Sequence, residues 1–242
     1  MNKNIDVLIL CGGEGKRLRK VSGKAPKPMV LIGNKPFLDI VINYFKSFGF
    51  KKFILSIGYK SDYIKKYYRL NKPEGIKMLF SKENQPLGTG GAVKKVKRLI
   101  QSKSFLVLNG DSFARVDIEK FVKFYRKKKA KALILLRTSR NGKDVGRVTI
   151  NKNSELTNFS EKTIDNSSAL MNSGIYLFDT EIFSYMPRKK VFSLEYDFFP
   201  QMIGKRVYGY KETGFFVDIG TPERYFAARK YLLKNSKRKD NK

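Results

Sequence analysis

Short apolar runs alternate with helix-like segments through the first half of the chain, and this alternation constrains the fold more than any other feature. Four runs have the length and composition of buried strands, at residues 7–11, 53–57, 76–80 and 105–108. After the first run, apolar residues from Phe37 to Phe48 recur at helical spacing, and Gly49 then supplies a helix stop. Strands and helices that alternate in this way build a mostly parallel sheet with helices on both faces. The sequence therefore predicts an α/β fold.

Capping residues predict where further helices begin. Ser61 is expected to cap one short helix, and Asp117 to cap another. The run Thr221-Pro222-Glu223 places an N-cap, a proline and an acid in the order typical of a helix start. Residues 145–150 and 156–159 are expected to form a hairpin.

Composition limits the classes of protein that the chain can belong to. The 242 residues, 41% of them apolar, can bury one sizeable core, and we expect a single domain over residues 1–235 with a charged, frayed tail over 236–242. No apolar run of about 18 residues is present, and Cys11 is the single cysteine, so a cytoplasmic protein is expected. The absence of histidine excludes histidine bases, histidine triads and histidine zinc sites.

The formal net charge of +30 raises the alternative of a basic module that binds nucleic acid. Only 14 of the 51 basic residues are arginine, and the lysines are scattered over many segments apart from short runs such as Lys127–Lys129. Nucleic-acid recognition favours the bidentate arginine fork. We therefore favour a solvated, lysine-rich surface and expect neither a nucleic-acid nor a membrane partner. A homo-oligomer stays open.

A glycine-rich loop follows the first predicted strand. It contains Gly12, Gly13 and Gly15, with Arg17 just beyond it and Lys27 between two prolines. Glycines allow backbone N–H groups to approach phosphate oxygens closely, and the two cations add the charge that a triphosphate needs. The spacing matches neither a Walker A loop nor a dinucleotide fingerprint.

Asp111 follows another predicted strand and a glycine, where parallel sheets commonly bind ligands. A carboxylate there is a candidate ligand for Mg²⁺, which prefers oxygen and is usually held together with substrate phosphates. Asp218, close to Gly220, is a weaker candidate of the same kind.

The glycine loop and Pro26-Lys27-Pro28 resemble the signature of the nucleotide-sugar pyrophosphorylases, nucleotidyltransferases with a Rossmann-like core. Further matches occur in the family's order over roughly residues 5 to 235: residues 86–91, 109–111, 161–162, 172–174, Glu195 and residues 217–222. The resemblance implies a Rossmann-like (GT-A-like) mixed sheet with a smaller β-rich part that binds the sugar.

The resemblance also implies a role for each matched position. Those that would bind the nucleotide are Leu10, Gly12, Gly13, Gly15, Glu83, Gly88 and Thr89, the last three at the base. Those that would act in catalysis are Arg17, Lys27 and Asp111, with Asp111 and Asp218 as ligands of a Mg²⁺ cofactor. Those that would contact the sugar phosphate are Gly146, Lys162, Asn172 and Glu195.

Within the family, the sequence around Glu83 and Asp111 resembles the short bacterial enzymes that make GDP-D-glycero-α-D-manno-heptose for surface polysaccharides. This similarity implies GTP and a heptose 1-phosphate as substrates, joined with release of pyrophosphate. Mannose 1-phosphate guanylyltransferases share the same loop, and cytidylyl or uridylyl transfer to another phosphorylated acceptor stays open. A non-catalytic relative is disfavoured because the four charged residues Arg17, Lys27, Asp111 and Asp218 are all retained.

Overall fold

The computed structural model describes residues 4–139, 146–161 and 169–236. Its strands are β1 (Asp6–Cys11), β2 (Leu31–Ile32), β3 (Lys35–Pro36), β4 (Lys52–Ile57), β5 (Lys77–Lys82), β6 (Ser104–Asn109), β7 (Ser112–Ala114), β8 (Ala132–Ser139), β9 (Gly146–Ile150), β10 (Leu156–Glu161), β11 (Ala169–Asp179), β12 (Val207–Lys211) and β13 (Phe216–Asp218). Its α-helices are α1 (Arg19–Ser22), α2 (Phe37–Ser47), α3 (Ser61–Asn71), α4 (Gly88–Lys95), α5 (Ile118–Lys128) and α6 (Pro222–Ser236). A π-helical turn spans Leu194–Phe198, and short 3₁₀ helices span Lys16–Leu18, Lys27–Met29, Thr180–Ser184 and Phe199–Met202.

A nine-stranded mixed sheet forms the centre of the molecule. Strands β5, β4, β1 and β6 lie side by side in that order and are parallel. Beyond β6 the antiparallel strand β11 pairs with both β8 and β9, which continue to β12 and β10 respectively. Among these strands only β10 and β11 run against the common direction, so the predicted mostly parallel sheet is confirmed.

Alternate side chains of the sheet face two separate layers of helices. From β1, the side chains of Val7 and Ile9 join the core beneath α2, α3, α5 and α6. Leu8, from the same strand, joins the core on the other face, beneath α4 and the π-helical turn. Because both faces are covered, the central parallel strands β1, β4 and β6 each contain a continuous apolar run, and this explains why their sequences show runs rather than alternation.

Most predicted elements are confirmed, and the differences have local causes. Asp117 caps α5 by accepting a hydrogen bond from the Lys120 amide at 3.0 Å. The Ser61 prediction was wrong, because the cap residue of α3 is Lys60, in the left-handed region with φ of 51°, and no side chain caps the helix. The predicted hairpin is confirmed as β9 and β10.

Cys11 is buried at the end of β1, and burial raises the pKa of its thiol. It therefore fills a small apolar space and is not a nucleophile. No helix in the described ranges is long and apolar enough to cross a membrane.

Candidate functional site

The chain order of the parallel strands creates a crevice between β1 and β6. From β1 the chain adds β4 and β5 on one side, and then returns to place β6 on the other side of β1. Loops that leave the carboxyl ends of two strands on either side of such a reversal diverge, and ligands bind between them. The glycine loop leaves β1 and Asp111 follows β6, so the sheet brings the two strongest predicted motifs to this crevice.

The glycine loop folds tightly against its neighbours. Gly15 has φ of 64°, and a Cβ atom there would lie 2.7 Å from Cβ of Lys27. A Cβ atom on Gly12 would lie 2.5 Å from a carboxylate oxygen of Glu83. Gly15 is required because of its left-handed backbone and its contact with the Lys27 stem, whereas a side chain at position 12 would displace the Glu83 carboxylate. Gly13 by contrast has open space around it, so a ligand can approach its backbone.

Three charged side chains converge on Gly220, at the end of β13. A Cβ atom there would lie 2.8 Å from Oδ1 of Asp218, 3.7 Å from Nζ of Lys27 and 3.9 Å from Nη2 of Arg17. Lys27 forms an ion pair with Asp111, in which the lysine side chain is 12% exposed and the aspartate side chain 39%. The structure thus brings Arg17, Lys27, Asp111 and Asp218 together, although they lie up to 201 positions apart in the sequence.

A two-stranded ribbon, which the sequence did not reveal, holds the two aspartates. Strands β7 and β13 pair in antiparallel register, with Asp218 opposite Ser112. The Ile219 amide donates a hydrogen bond of 2.9 Å to the Asp111 carbonyl, so the two acidic residues are neighbours across the ribbon. Asp218 accepts from the Gly220 amide at 2.8 Å and pairs with Arg224 at 3.3 Å.

These two carboxylates fit a magnesium ion that is shared with substrate. All of their donor atoms are oxygen, the preferred ligand of Mg²⁺. No group of three or more His, Cys, Asp or Glu side chains suited to a metal occurs among the described residues. One or two carboxylates are usual in Mg²⁺ sites that substrate phosphates and water complete, so these two aspartates would suit such a site.

Glu83 lies beside the glycine loop at the end of β5. Its carboxylate accepts hydrogen bonds from the Ser56 hydroxyl at 2.9 Å and from the Leu87 amide at 3.2 Å. A carboxylate has about four acceptor positions, so two stay available for a ligand. The Ser56 and Leu87 bonds fix the orientation of the group, and Gly12 allows it to approach the loop.

A chain of side-chain hydrogen bonds connects the first turn of α4 with the π-helical turn and β11. The Glu195 carboxylate accepts from the hydroxyls of Thr89 at 2.6 Å, Ser193 at 2.7 Å and Tyr176 at 3.0 Å. Asn172 donates to the Tyr176 hydroxyl at 2.7 Å. Thr89, predicted at the nucleotide, therefore contacts Glu195, predicted at the sugar, through a direct hydrogen bond. Such a fully connected network fixes the position of its carboxylate.

Removing the Tyr176 hydroxyl tests whether this network positions Glu195. Tyr176→Phe leaves one donor of Asn172 without its partner, and we expect the free energy of unfolding to fall by about 1 kcal/mol. We also expect a several-fold rise in KM for the sugar phosphate with a smaller change in kcat. Tyr208→Phe is the control, because the Tyr208 hydroxyl bonds Glu155 at 3.3 Å, outside this network. Equal kinetic effects in the two variants would contradict a positioning role.

The other predicted residues fall in three places. Leu10 is the last residue but one of β1, beside the crevice, and its carbonyl accepts from the Gly110 amide at 3.0 Å. Gly88 begins α4 with φ of 72°. Gly146 begins β9, and the next residue, Arg147, pairs with Met171, which precedes Asn172. Lys162 lies outside the described residues.

Sequence reasoning missed several residues of the crevice. They share hydrogen bonds to predicted site residues and are Ser56, Tyr176, Ser193 and Arg224. Tyr176 carried a signal, because a tyrosine within an apolar strand needs a partner for its hydroxyl. The others carried none.

Comparisons with known proteins agree with this geometry. The family model described as "Nucleotidyl transferase" matches residues 6–235. The chain is 37% identical to D-glycero-alpha-D-manno-heptose 1-phosphate guanylyltransferase of Aneurinibacillus thermoaerophilus over 94% of the chain and 98% of that protein. It is 34% identical to the protein of the same name from Campylobacter jejuni, over 92% and 97% of the two chains.

A solved structure is similar over the same range. The crystal structure of HddC from Yersinia pseudotuberculosis matches with a TM-score of 0.85 and 35% identity, over 94% of this chain and 99% of that one. The structure of HddC complexed with GMP-PN matches with a TM-score of 0.83 and 34% identity, over the same shares of the two chains. The chain therefore belongs to the nucleotidyl transferase family.

Proposed function

We propose that this protein transfers a guanylyl group from GTP to D-glycero-α-D-manno-heptose 1-phosphate and releases pyrophosphate. The observation that carries the proposal is the convergence of Arg17, Lys27, Asp111 and Asp218 at the crevice. Two relatives of nearly the same length as this chain bear the name of that activity. The similar HddC structure was solved with GMP-PN.

The reaction needs charge neutralisation and orientation more than proton transfer. The sugar phosphate is already an anion, so one of its oxygens attacks the α-phosphorus of GTP without a base. A new oxygen–phosphorus bond forms, the bond between the α-phosphorus and the pyrophosphate oxygen breaks, and pyrophosphate leaves. The difficulty is to bring two polyanions into line, and preorganised cations overcome it. A chain without histidine suits this chemistry.

Each charged residue of the crevice would have its own role in the reaction. Arg17, at the end of the glycine loop, would neutralise the α-phosphate and the departing pyrophosphate, and Lys27 would assist from the floor of the crevice. Asp111 and Asp218 would hold Mg²⁺, which when bound supplies positive charge to the phosphate oxygens. Lys162 would hold the attacking sugar phosphate, with Gly146, Asn172 and Glu195 around the sugar. The cytoplasmic location stays a prediction.

The preference for guanine would come from Glu83. Guanine carries two adjacent N–H groups, at N1 and N2, and the two free acceptor positions of the Glu83 carboxylate suit them. Hydrogen bonds to an ionised acceptor are stronger than neutral ones. Adenine and cytosine present a ring nitrogen acceptor where guanine has N1–H, so the carboxylate would repel them.

The substitution Glu83→Gln tests this assignment. The amide can accept one of the two base hydrogen bonds but not both, and we expect kcat/KM for GTP to fall about 10- to 100-fold, as loss of a charge-assisted hydrogen bond does. Glu74→Gln, at an exposed position outside the crevice, is the matched control. An unchanged preference for GTP over ATP, CTP and UTP in Glu83→Gln would contradict the role of Glu83.

The acceptor is tested by competition. Purified protein with GTP and Mg²⁺ is given heptose 1-phosphate and α-D-mannose 1-phosphate together, and the two GDP-sugars are separated by mass. We expect the heptose product to dominate in proportion to kcat/KM. If GDP-mannose were the dominant product, the proposed acceptor would be wrong and the proposed donor, GTP, would stand. Products with CTP or UTP and none with GTP would overturn the proposal.

A further inference from the structure

A cavity of about 630 Å³ lies at the amino ends of β1 and β6, whereas the crevice lies at their carboxyl ends. It is bordered by the residues that lead into β1 and β6, by the last turn of α5, and by the segments before β8 and β12. None of the residues assigned to the reaction contributes to it. Its volume is in the range of small-molecule sites.

The lining of this cavity carries more cations than its carboxylates neutralise. Its two acids are Asp179 and Glu181, and the second pairs with Lys131 at 3.6 Å. Four further cations have no ion pair within the described part of the chain: Lys103, Arg126, Lys129 and Arg206. Even with Asp179 subtracted, an excess of about three positive charges faces the cavity.

The end of α5 explains only part of this excess. A helix C-terminus carries about half a negative charge, which favours cations such as Arg126 and Lys129 nearby. Lys103 and Arg206 belong to other elements, before β6 and before β12, and the helix does not account for them. The four cations are exposed at the rim of the cavity, and together with Asp179 and the helix end they leave a net positive charge there, which attracts anions.

Two of these cations occupy backbone positions that favour glycine. Lys129 has φ of 46° and Arg206 has φ of 57°. Residues other than glycine are uncommon in this region, and such positions often belong to binding sites. Both directly border the cavity.

A buried hydroxyl group lies in the cavity wall. Tyr125 is 7% exposed, its hydroxyl oxygen is out of contact with solvent, and the nearest acidic group to it is the Asp179 carboxylate. Burial and the charge of Asp179 raise the pKa of Tyr125, so the hydroxyl keeps its proton. The hydroxyl therefore lies against Asp179 inside the wall, and the groups that the cavity offers to a ligand are its cations.

We propose that this cavity is a second binding site, for a small ligand that carries two or more linked phosphate groups. Lys103, Arg126, Lys129 and Arg206 neutralise the phosphates. The volume accommodates a ligand of nucleotide size, and an isolated phosphate would leave most of the cations unused. The site is separate from the crevice, so its ligand does not compete with GTP there.

Calorimetric titration with inorganic tripolyphosphate counts the sites. We expect wild-type protein to bind two equivalents, one in each site. Arg17→Gln lowers the affinity of the crevice for tripolyphosphate and leaves binding at the cavity unchanged. The triple variant Lys103→Gln/Arg126→Gln/Arg206→Gln loses at least tenfold in affinity at the cavity, retains the other site and keeps its nucleotidyl transfer activity within about twofold.

A matched triple variant controls for the general loss of charge. Lys66→Gln/Arg69→Gln/Lys72→Gln removes the same charge from exposed positions on and just after α3. We expect two equivalents to bind, as in the wild type. The proposal would be overturned if the wild type bound one equivalent of tripolyphosphate and Arg17→Gln bound none. It would also be overturned if the two triple variants lost the same affinity for tripolyphosphate. The titration of Arg17→Gln measures tripolyphosphate binding at the cavity and requires no turnover. Neither result therefore depends on which substrates the crevice accepts.

Discussion

Asp111→Asn is expected to lower kcat by about a hundredfold or more while the protein stays folded. The substitution removes one of the two carboxylates that would hold Mg²⁺, and loss of one such electrostatic group commonly has an effect of this size. The asparagine oxygen can still accept from Lys27, and the side chain is 39% exposed, so stability is expected to change by no more than about 1 kcal/mol. Steady-state pyrophosphate release and chemical denaturation measure the two quantities.

The matched control for this substitution is Asp117→Asn. Asp117 caps α5 at an exposed position, and asparagine is an equally good cap, so neither activity nor stability is expected to change much. A second readout is the magnesium dependence, since Asp111→Asn should need a higher Mg²⁺ concentration for half-maximal rate. Near-normal turnover at low Mg²⁺ would remove Asp111 from the metal site.

Lys27→Met is expected to cause a comparable loss of turnover, again about a hundredfold or more. The Lys27 amine lies in a poorly exposed part of the crevice, where charges interact more strongly than at the surface. Methionine keeps the length and volume of the lysine stem, which packs against Gly15, but supplies no charge to the phosphates. The free energy of unfolding should therefore change far less than the activation free energy.

Lys35→Met in the exposed strand β3 controls for the loss of one positive charge. We expect it to keep wild-type kcat/KM, whereas a general effect of charge on substrate attraction would lower both variants alike. If Lys27→Met lost activity only through KM for GTP, Lys27 would bind the ground state and would not stabilise the transition state.

The sequence predicted the half of the fold that rests on local patterns. The strands β1, β4 and β6 are buried on both faces, so each stands out as an apolar run, and the edge strand β5 carries a shorter apolar run that is half-buried. The glycine loop and Asp111 follow two of these strands, and the parallel arrangement alone brings them to one edge. Asp117 and Thr221 cap helices through short-range hydrogen bonds, which a sequence shows directly.

The parts that rest on long-range pairing could not be predicted in this way. Strands β7 and β13 have three residues each, too few for a periodic pattern, yet their pairing places Asp218 beside Asp111. The bonds among Thr89, Tyr176 and Glu195 join three elements far apart in the chain. Their roles came from family resemblance, and the geometry that connects them came only from the structure. Ser61 has the side chain of a typical N-cap residue, but the left-handed turn at Lys60 places Ser61 inside the helix.

The most direct test of the central claim follows the oxygen atoms of the acceptor. D-glycero-α-D-manno-heptose 1-phosphate labelled with ¹⁸O in its phosphate is incubated with GTP, Mg²⁺ and the wild-type protein, and the products are resolved by ³¹P NMR. If the sugar phosphate attacks the α-phosphorus, GDP-heptose retains all of the label, including the oxygen that bridges its two phosphorus atoms, and pyrophosphate contains none. Label in pyrophosphate, or consumption of GTP without labelled GDP-heptose, would contradict guanylyl transfer to this acceptor.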